Sequence, residues 1–361
     1  MSGTVMIMAG GTGGHVFPAL AIAGVLQSRR QIVWLGTERG IEARLVPAAG
    51  YPVEWIEVEG LRGKGLARWL GAPLRLLRAI AQARRALRRR KPGVVLGLGG
   101  FVSGPGGIAA WLAGAPLVIH EQNAIAGLTN RCLARLAARV AEGFPGSFPA
   151  SSGALFVGNP VRPEIASLPP PRQRFEARSG PLRLFVFGGS QGASALNRLL
   201  PAAIALLPQS RRPRVLHQTG ARERDETEAA YRAAGIQAEV HAFIDDMAAA
   251  YGEADLVVSR SGALTVAELA AAGIGSILVP YPAAVDDHQT KNAGWLARVS
   301  AAQVVSEAGL TAPELANRLA TLLGNGRSRL LAMAEAARSL AVTDAADRVA
   351  DLCLQAEGRR A

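Results

Sequence analysis

Two stretches of the chain place a glycine-rich turn directly after a short apolar run. The first joins TVMI (4–7) to GGTGGH (10–15), and the second joins LRLFVF (182–187) to GGSQG (188–192). A helical pattern follows each turn, which is typical of a βα unit on a parallel sheet. The repetition predicts two similar doubly wound, Rossmann-like α/β domains.

The rest of the chain fits this prediction. Short β-branched runs at 31–35, 53–58, 94–98 and 116–120 alternate with helical patterns, and 361 residues exceed what one core usually supports. The proline- and arginine-rich piece at 159–174 interrupts the alternation, so we interpret it as the interdomain linker. Ligands of such sheets bind beyond the carboxyl ends of the strands, and we expect two sheets facing across a cleft that holds the substrate.

The glycine turns suit phosphate, because they let backbone N–H groups approach an anion at the start of a helix. The first turn does not match the dinucleotide fingerprint, since Val16 stands where the third glycine belongs. Neither turn is followed by the lysine of a P-loop. A tight turn needed only for helix packing is the alternative. His15 lies where the first helix would begin, and we take it as a candidate site residue.

A second constellation follows the buried-strand run at 254–258. Glu268 falls within the first two turns of a helix that Gly262 or Ala263 would open. A carboxylate there can accept two hydrogen bonds from a ribose diol while the helix start faces a diphosphate. The alternative is an ordinary acid that favours the helix dipole. Further on, DDHQTKN (286–292) contains an Asp and His pair, but no third side chain stands at the spacing of a metal ligand. Its amide side chains suit sugar hydroxyls better.

The formal net charge of +12 is concentrated in one segment, since residues 60–91 contain eleven Lys and Arg and no acid. Apolar residues recur there at three- and four-residue steps, which predicts one or two helices with an apolar stripe beside a cationic flank. Two interpretations are open: a helix that packs this stripe on the core and leaves its arginines in solvent, and docking on an anionic membrane surface. We disfavour nucleic-acid binding, because no recognition motif accompanies the charge.

Other sequence features concern the compartment. Only Cys132 and Cys353 are present, far apart in sequence, so we expect no disulfide, no cysteine metal site and a reducing cytosol. The N-terminus lacks the pattern of a signal peptide. Residues 92–120 contain no Asp, Glu, Lys or Arg, but prolines and glycines divide them, so we predict two strands around a helix rather than a membrane span.

Nine motifs, in order along the chain, resemble the MurG family, the lipid-linked muramyl N-acetylglucosaminyltransferases of bacterial peptidoglycan synthesis in glycosyltransferase family 28. They are GGTGGHVFPA, GLRGKGL, LGLGGFVSGPGG, HEQNAIAGLTN, VGNPVR, FGGSQGA, FIDDMAAAY, RSGALTVAEL and DDHQTKNA. The resemblance implies the two-domain GT-B fold. It implies an acceptor and membrane-docking domain at 1–161, a UDP-N-acetylglucosamine domain at 162–341, and a helix at 342–361 that packs back on the N-terminal domain.

The resemblance also implies an activity. N-acetylglucosamine would pass from UDP-N-acetylglucosamine to the 4-hydroxyl of the muramyl sugar of lipid I, giving lipid II and UDP, with inversion and without a metal or other cofactor. His15 is the hypothesised base, or the residue that positions the acceptor. Within the same fold, a UDP-sugar epimerase or a transferase with another acceptor is the alternative. A protein of another functional class, a non-catalytic basic scaffold on membranes or nucleic acid, is a further alternative.

Substrate contacts follow from the same motifs. Glu268 would bind the ribose, the Ile244 backbone the uracil, Ser190 and Arg162 the phosphates, and Gln289 the sugar. The residues that would meet the diphosphate at a helix start are Ala263, Leu264 and Thr265. The residues that would face the sugar and acceptor from the N-terminal domain are Thr12, Gly13, Gly14 and Asn123. Residues 281–288 differ in sequence from the family pattern, which affects the assignment of Gln289.

The resemblance further implies a peripheral place on the cytoplasmic face of the bacterial inner membrane. Its partners would be UDP-N-acetylglucosamine, lipid I, anionic phospholipid and other proteins of cell-wall synthesis and division, and no nucleic acid. The docking surface would include Leu66, Trp69, Leu70, Leu74, Arg75, Leu77, Arg78 and Trp111.

Overall fold

The structure is a computed structural model that describes residues 3–58, 72–189, 192–324 and 326–358. The chain divides into two compact units. Unit 1 consists of Met1–Val161 together with Val342–Ala361, and unit 2 is Arg162–Ala341.

Unit 1 contains a seven-stranded parallel sheet with the strand order β3-β2-β1-β4-β5-β6-β7. The strands are β1 (Thr4–Met8), β2 (Gln31–Gly36), β3 (Val53–Trp55), β4 (Val94–Gly97), β5 (Leu117–Glu121), β6 (Arg139–Glu142) and β7 (Leu155–Phe156). The helices are α1 (Gly13–Leu26), α2 (Glu42–Ala48), α3 (Ala72–Arg90), α4 (Ser103–Leu112), α5 (Leu128–Leu133) and, from the end of the chain, α15 (Ala345–Gly358).

The central strand β1 shows why this sheet is covered on both faces. Val5 and Ile7 lie in one apolar cluster, and Met6 and Met8 lie in another. Successive side chains of a strand point to opposite faces, so β1 requires helices on both sides. The first cluster is completed by α15, which packs against α1.

Unit 2 contains a six-stranded parallel sheet with the strand order β10-β9-β8-β11-β12-β13. The strands are β8 (Arg183–Phe187), β9 (Arg214–Gln218), β10 (Ala238–His241), β11 (Leu256–Ser259), β12 (Ser276–Leu278) and β13 (Ala302–Val304). The helices are α6 (Pro163–Ala166), α7 (Pro171–Glu176), α8 (Ser194–Ala205), α9 (Arg224–Ala233), α10 (Met247–Glu253), α11 (Ala263–Ala272), α12 (His288–Ala297), α13 (Ala312–Leu323) and α14 (Gly326–Arg338). Both units therefore have the doubly wound parallel sheet that the sequence predicts.

The stretch at 159–174 contains the boundary between the two units, as predicted, but most of it is folded onto unit 2. It contains α6 and the start of α7, and the side chain of Arg174 is buried. Its guanidinium donates to the carbonyls of Pro169, Tyr251 and Gly273, at 3.0, 3.3 and 2.8 Å. These carbonyls lie at or near helix ends and lack intrahelical partners, so the arginine satisfies them and fixes the stretch to unit 2.

The uncharged stretch at 92–120 folds as predicted, into β4, α4 and β5. In the part of the chain that the structure describes, no helix is both long enough and apolar enough to span a bilayer.

Candidate active site

The first glycine turn is held in place by a buried carboxylate. Glu42 accepts hydrogen bonds from the Gly11 N–H at 2.9 Å and from the N–H and hydroxyl of Thr37 at 3.1 and 2.8 Å. A Cβ at Gly10 would lie 2.5 Å from this carboxylate. A Cβ at Gly100 would lie 2.3 Å from the Gly10 carbonyl oxygen. The turn therefore needs bare backbone for packing, as well as for any ligand.

Helix α1 begins directly after this turn. Thr12 is the N-cap residue in an extended conformation, and Gly13 and Gly14 form the first turn with His15. Among the described residues, no side chain caps this helix start and no acid lies in its first turn. Its first N–H groups are consequently available to an anion or a sugar oxygen.

His15 is half-buried and its ring is fixed on two sides. Nδ1 of His15 lies 3.0 Å from Oε1 of Gln122, which follows β5. A Cβ at Gly99 would come within 3.0 Å of the ring carbon Cε1, so the ring packs on bare backbone. The sequence places His15 at the helix start, and the fold adds an amide partner 107 positions away.

Two further hydrogen bonds continue from Gln122. Its Nε2 lies 3.1 Å from Nδ1 of His120, and Nε2 of His120 lies 2.9 Å from the carbonyl oxygen of Gly158. His120 is fully buried, and this burial lowers its pKa, although the Gly158 carbonyl and the charge of Glu121 act in the opposite direction. His120 is therefore neutral at physiological pH.

The carboxylate of Glu121 holds Asn123 in place through hydrogen bonds. Its backbone N–H and its side-chain Nδ2 both donate to Oε1 of Glu121, at 3.0 and 3.1 Å. The other oxygen of Glu121 accepts from the Gly127 N–H and from Nδ2 of Asn130, at 3.1 and 2.8 Å. The HEQN segment is thus a rigid hydrogen-bonded turn at the carboxyl end of β5.

In unit 2, the predicted helix start is at the expected residues. Gly262 is the N-cap of α11, and the first turn contains Ala263, Leu264 and Thr265. Within the described residues this turn has no acid and no side-chain cap. It offers uncapped N–H groups and the positive end of the helix dipole.

Glu268, one turn further along α11, is buried and has two partners. Its Oε1 accepts from Nε and Nη2 of Arg162 at 2.9 and 2.8 Å, and its Oε2 accepts from the Tyr251 hydroxyl at 3.2 Å. Burial raises the pKa of Glu268, and the two partners act against this rise. The Arg162 side chain is 41% exposed, so part of its charge faces solvent. The two residues, predicted separately, form one ion pair.

The second glycine turn is joined to the FIDDM segment by Gln218. Oε1 of Gln218 accepts from the Ile244 N–H at 2.9 Å, and its Nε2 donates to the Gly189 carbonyl at 3.0 Å. The Ile244 N–H is therefore engaged within the protein. Ser190 lies outside the described residues.

Gln289 lies at the start of α12. Its Oε1 accepts from the Tyr281 N–H at 2.9 Å, which ties the divergent loop to the helix. Asp286 and Asp287 have left-handed backbone conformations with φ of 53° and 50°. The described residues contain no group of three or more His, Cys, Asp or Glu that could hold a metal ion.

The membrane-docking prediction falls partly on described residues. Leu66, Trp69 and Leu70 lie outside them. On α3, Leu74, Arg75, Leu77 and Arg78 are exposed, with Leu74 74% exposed, and on α4 Trp111 is 54% exposed. The buried face of α3 consists instead of Ala79, Ala83, Ala86 and Leu87. Leu74 and Leu77 thus lie outside the core, and α3 packs against α4.

Three residues of these sites were not found from the sequence. Gln122 and His120 belong to the HEQN motif, and Tyr251 ends FIDDMAAAY, but their partners lie far away along the chain. The motifs signalled that the segments matter without indicating which atoms meet.

Comparisons with known proteins cover nearly the whole chain. The glycosyltransferase family 28 N-terminal domain matches residues 5–142, and the family 28 C-terminal domain matches residues 183–349. A protein of Nitrosococcus oceani, named UDP-N-acetylglucosamine--N-acetylmuramyl-(pentapeptide) pyrophosphoryl-undecaprenol N-acetylglucosamine transferase, is 57% identical over 352 residues. The match covers 97% of this chain and 98% of that protein.

Comparison with solved structures also finds similar proteins over nearly the whole chain. The crystal structure of Acinetobacter baumannii MurG is 43% identical, with a TM-score of 0.85 over 98% of this chain and 99% of that one. A UDP-GlcNAc 2-epimerase from Neisseria meningitidis is 10% identical with a TM-score of 0.67, covering 98% of this chain and 99% of that one. At that identity the likeness to the epimerase concerns the fold alone.

Proposed function

The chain belongs to glycosyltransferase family 28, and from this premise we propose that it transfers N-acetylglucosamine from UDP-N-acetylglucosamine to the 4-hydroxyl of the muramyl sugar of lipid I. The products are lipid II and UDP. The observation that carries the proposal is the uncapped start of α11 beside the buried Glu268 and its half-exposed partner Arg162. This arrangement provides a cationic diphosphate site next to a carboxylate that can accept ribose hydroxyls.

We assign the donor to unit 2. The N–H groups of Ala263, Leu264 and Thr265 bind the diphosphate, together with Arg162 and Ser190. Oε2 of Glu268, which accepts from Tyr251, keeps a lone pair for one ribose hydroxyl. Oε1, which accepts two N–H groups of Arg162, accepts the second hydroxyl when one of these N–H groups turns to the phosphate.

Two further donor contacts complete the assignment. Because the Ile244 N–H donates to Gln218, we assign the Ile244 carbonyl oxygen to the uracil edge. Gln289, whose Oε1 accepts from the Tyr281 N–H, uses its side-chain amine for the sugar hydroxyls.

We assign the acceptor to unit 1. The uncapped first turn of α1, with Thr12, Gly13 and Gly14, offers N–H groups to the lipid diphosphate or to the transferred sugar. Asn123, held by Glu121, contributes a further polar contact. His15 lies at this turn as the base.

The reaction is one in-line displacement at the anomeric carbon. The acceptor oxygen forms a bond to C1, the bond from C1 to the UDP phosphate oxygen breaks, and the proton of the 4-hydroxyl passes to His15. The charge that develops on the departing UDP is stabilised by the α11 start and by Arg162, without a metal in the proposed scheme.

Incubation with UDP-N-acetylglucosamine and a lipid I analogue tests the proposal. We expect a lipid-linked disaccharide and an equal amount of UDP. Release of free sugar without any lipid would favour the epimerase alternative, and absence of UDP binding would favour the scaffold alternative.

We also propose that the exposed faces of α3 and α4 dock this enzyme on the cytoplasmic face of the inner membrane. The exposed leucines lie on α3, which also carries a dense cationic flank, and Trp111 is exposed on the neighbouring α4. This combination suits an anionic lipid surface. Each basic residue at such a surface contributes about 1 kcal/mol, so replacing Arg75, Arg78 and Arg85 by Glu should weaken vesicle binding on the order of 100-fold.

Flotation with vesicles rich in anionic lipid measures this effect. The matched control replaces Arg211, Arg214 and Arg232 of unit 2, which are also exposed, by Glu. Equal binding of the protein to neutral and anionic vesicles would contradict the docking proposal.

A further inference from the structure

Four groups in unit 1 form a continuous line of hydrogen bonds that ends at His15. The line runs from the Gly158 carbonyl to His120, then to the Gln122 amide, and then to Nδ1 of His15, with separations of 2.9, 3.1 and 3.0 Å. Of these four groups, the proposed reaction uses only the ring of His15.

The direction of every hydrogen in this line follows from its first member. A carbonyl oxygen only accepts, so Nε2 of His120 carries a hydrogen and donates to Gly158. The buried His120 ring is neutral, so its Nδ1 has a lone pair and accepts from the NH₂ group of Gln122.

The same reasoning fixes His15. With its NH₂ group turned to His120, Gln122 presents its carbonyl oxygen to His15. That oxygen only accepts, so Nδ1 of His15 carries the hydrogen. In the neutral ring the other nitrogen, Nε2, then holds the lone pair. The opposite amide orientation would set the Gln122 oxygen against a lone pair of His120.

We propose that Gln122 and His120 are positioning residues that set the tautomer of His15, so that Nε2 of His15 is the atom that takes the proton of the acceptor hydroxyl. The inference rests on the proposed function for the proton transfer. The tautomer itself is a property of the protein without substrate.

The line is rigid enough to serve this role. Gln122 is 1% exposed, and its backbone carbonyl accepts from Nδ2 of Asn159 at 2.9 Å. Gly158 has a φ of +80°, and a Cβ there would lie 2.5 Å from Val342. The Gly158 carbonyl, which sets the direction of the line, is therefore held by packed backbone.

Four acidic groups on the elements around His15 are already engaged. On β5, Glu121 accepts from Asn123, Gly127 and Asn130. On α2, Glu42 accepts from Gly11 and Thr37. On α15, which packs against α1, Asp351 and Glu357 pair with Arg29 and Arg30, just beyond the far end of α1.

The first experiment reads the tautomer directly by nuclear magnetic resonance. The chain has five histidines, so selective ¹⁵N labelling gives few signals, and the His15 signals are those lost in His15→Ala. We expect the Nδ1–H form for His15 and the Nε2–H form for His120 in the unmodified protein. In Gln122→Met, His15 should lose its preference for Nδ1–H. An Nε2–H form of His15 in the unmodified protein would overturn the proposal.

The second experiment is the pH profile of kcat in Gln122→Glu. A carboxylate at this distance favours the imidazolium form of His15, so the acid limb of the profile should move up by about 1 to 3 pH units. The matched control is Gln31→Glu at an exposed position of unit 1, whose profile should keep its position. A folded Gln122→Glu enzyme with an unmoved acid limb would overturn the proposal.

The two experiments separate the inference from the proposed function. If the unmodified protein makes no disaccharide while His15 has the Nδ1–H form, the function fails and the positioning of the ring stands. If transfer proceeds with His15 in the Nε2–H form, the function stands and the positioning is wrong.

Discussion

Both units contain a strand, a turn and a helix start in the same order, but the side chains near the two helix starts differ in chemistry. At the start of α1, the hydrogen-bonded line beyond His15 consists of uncharged groups: an amide, a second imidazole and a carbonyl. At the start of α11, the partners are charged: Glu268 and Arg162, with Tyr251 behind them. A neutral line of defined direction is suited to moving a proton, whereas a charged pair is suited to holding a phosphate and a diol.

The contrast lies in the segments that follow the strands. In unit 1, Gln122 and Asn123 follow β5 and turn toward His15 and Glu121. In unit 2, Arg260 follows β11 and donates to the Val279 and Pro280 carbonyls at 3.1 and 3.2 Å. A doubly wound sheet thus fixes where a site forms, and the residues beyond its strand ends decide what the site does.

The largest expected effect comes from His15→Ala, which tests the proton-handling role of unit 1. A general base contributes roughly 10²- to 10⁴-fold, so kcat should fall by that factor. The affinity for UDP-N-acetylglucosamine, assigned to unit 2, should change little. Steady-state kinetics and a binding titration measure the two quantities, and a variant with the full maximal rate would remove His15 from the chemistry.

Glu268→Ala tests the charge-holding role of unit 2. Loss of two hydrogen bonds to a carboxylate, at about 1.5 kcal/mol or more each, should raise the KM for the UDP-sugar roughly 100-fold. The matched control is Glu253→Ala, which removes an exposed acid of α10 that pairs with Arg183. An unchanged KM in the Glu268 variant would contradict the assignment of Glu268 to the ribose.

A buried imidazole in unit 2 extends the comparison to stability. His217 contacts the Tyr231 hydroxyl and the Asn197 side-chain oxygen at 3.0 and 3.1 Å, and burial lowers its pKa to about 3. The unfolded chain binds a proton near pH 6.5, so stability is complete above that pH and is lost as the pH falls toward 3. Between pH 7 and 5 the free energy of unfolding should drop by about 2 kcal/mol from this group.

Urea denaturation at the two pH values measures the drop. In His217→Gln this contribution should vanish, and in His241→Gln, where the histidine is exposed, it should remain. An equal drop in the His217 variant would show that other groups cause it. His120, whose pKa burial also lowers, adds a separate contribution from unit 1.

The smallest expected effect comes from Tyr251→Phe, which leaves Glu268 paired with Arg162 only. Removing one hydrogen bond of about 1 kcal/mol should raise the KM for the UDP-sugar about fivefold, with kcat nearly unchanged. Tyr231→Phe is the matched control, because it removes a buried hydroxyl of the same unit that contacts His217 instead. A similar KM rise in both variants would mean that the effect is general to the core.

The sequence predicted those features of the fold that depend on local pattern. The start of α11 and the place of Glu268 follow from a buried strand run, a glycine and an apolar helix, all within about fifteen residues. The contacts of the sites could not be predicted in this way. Arg162 meets Glu268 across 106 positions, and His15 meets Gln122 across 107, so only the folded sheet brings them together.

Two features of the fold were not predicted from the sequence, and each has a physical cause. The boundary between the units lies within 159–174 as predicted, but the stretch is not a free linker, because Arg174 is buried against carbonyls of unit 2. The apolar stripe of α3 was open to two interpretations, packing on the core or docking on a membrane, and in the structure Leu74 and Leu77 are exposed while Ala83 and Ala86 are buried. Residue type alone does not indicate which face of a helix meets its neighbour.

The return of α15 to unit 1 has a consequence for synthesis on the ribosome. Val349, Ala350 and Cys353 belong to the same apolar cluster as β1, so the unit whose strands are translated first lacks part of its core until residues beyond 341 have emerged. Unit 2 is continuous in sequence and has no such dependence. Until α15 has emerged, the apolar side chains that it covers lack that cover, and a chaperone that binds nascent chains would be needed most at this part of unit 1.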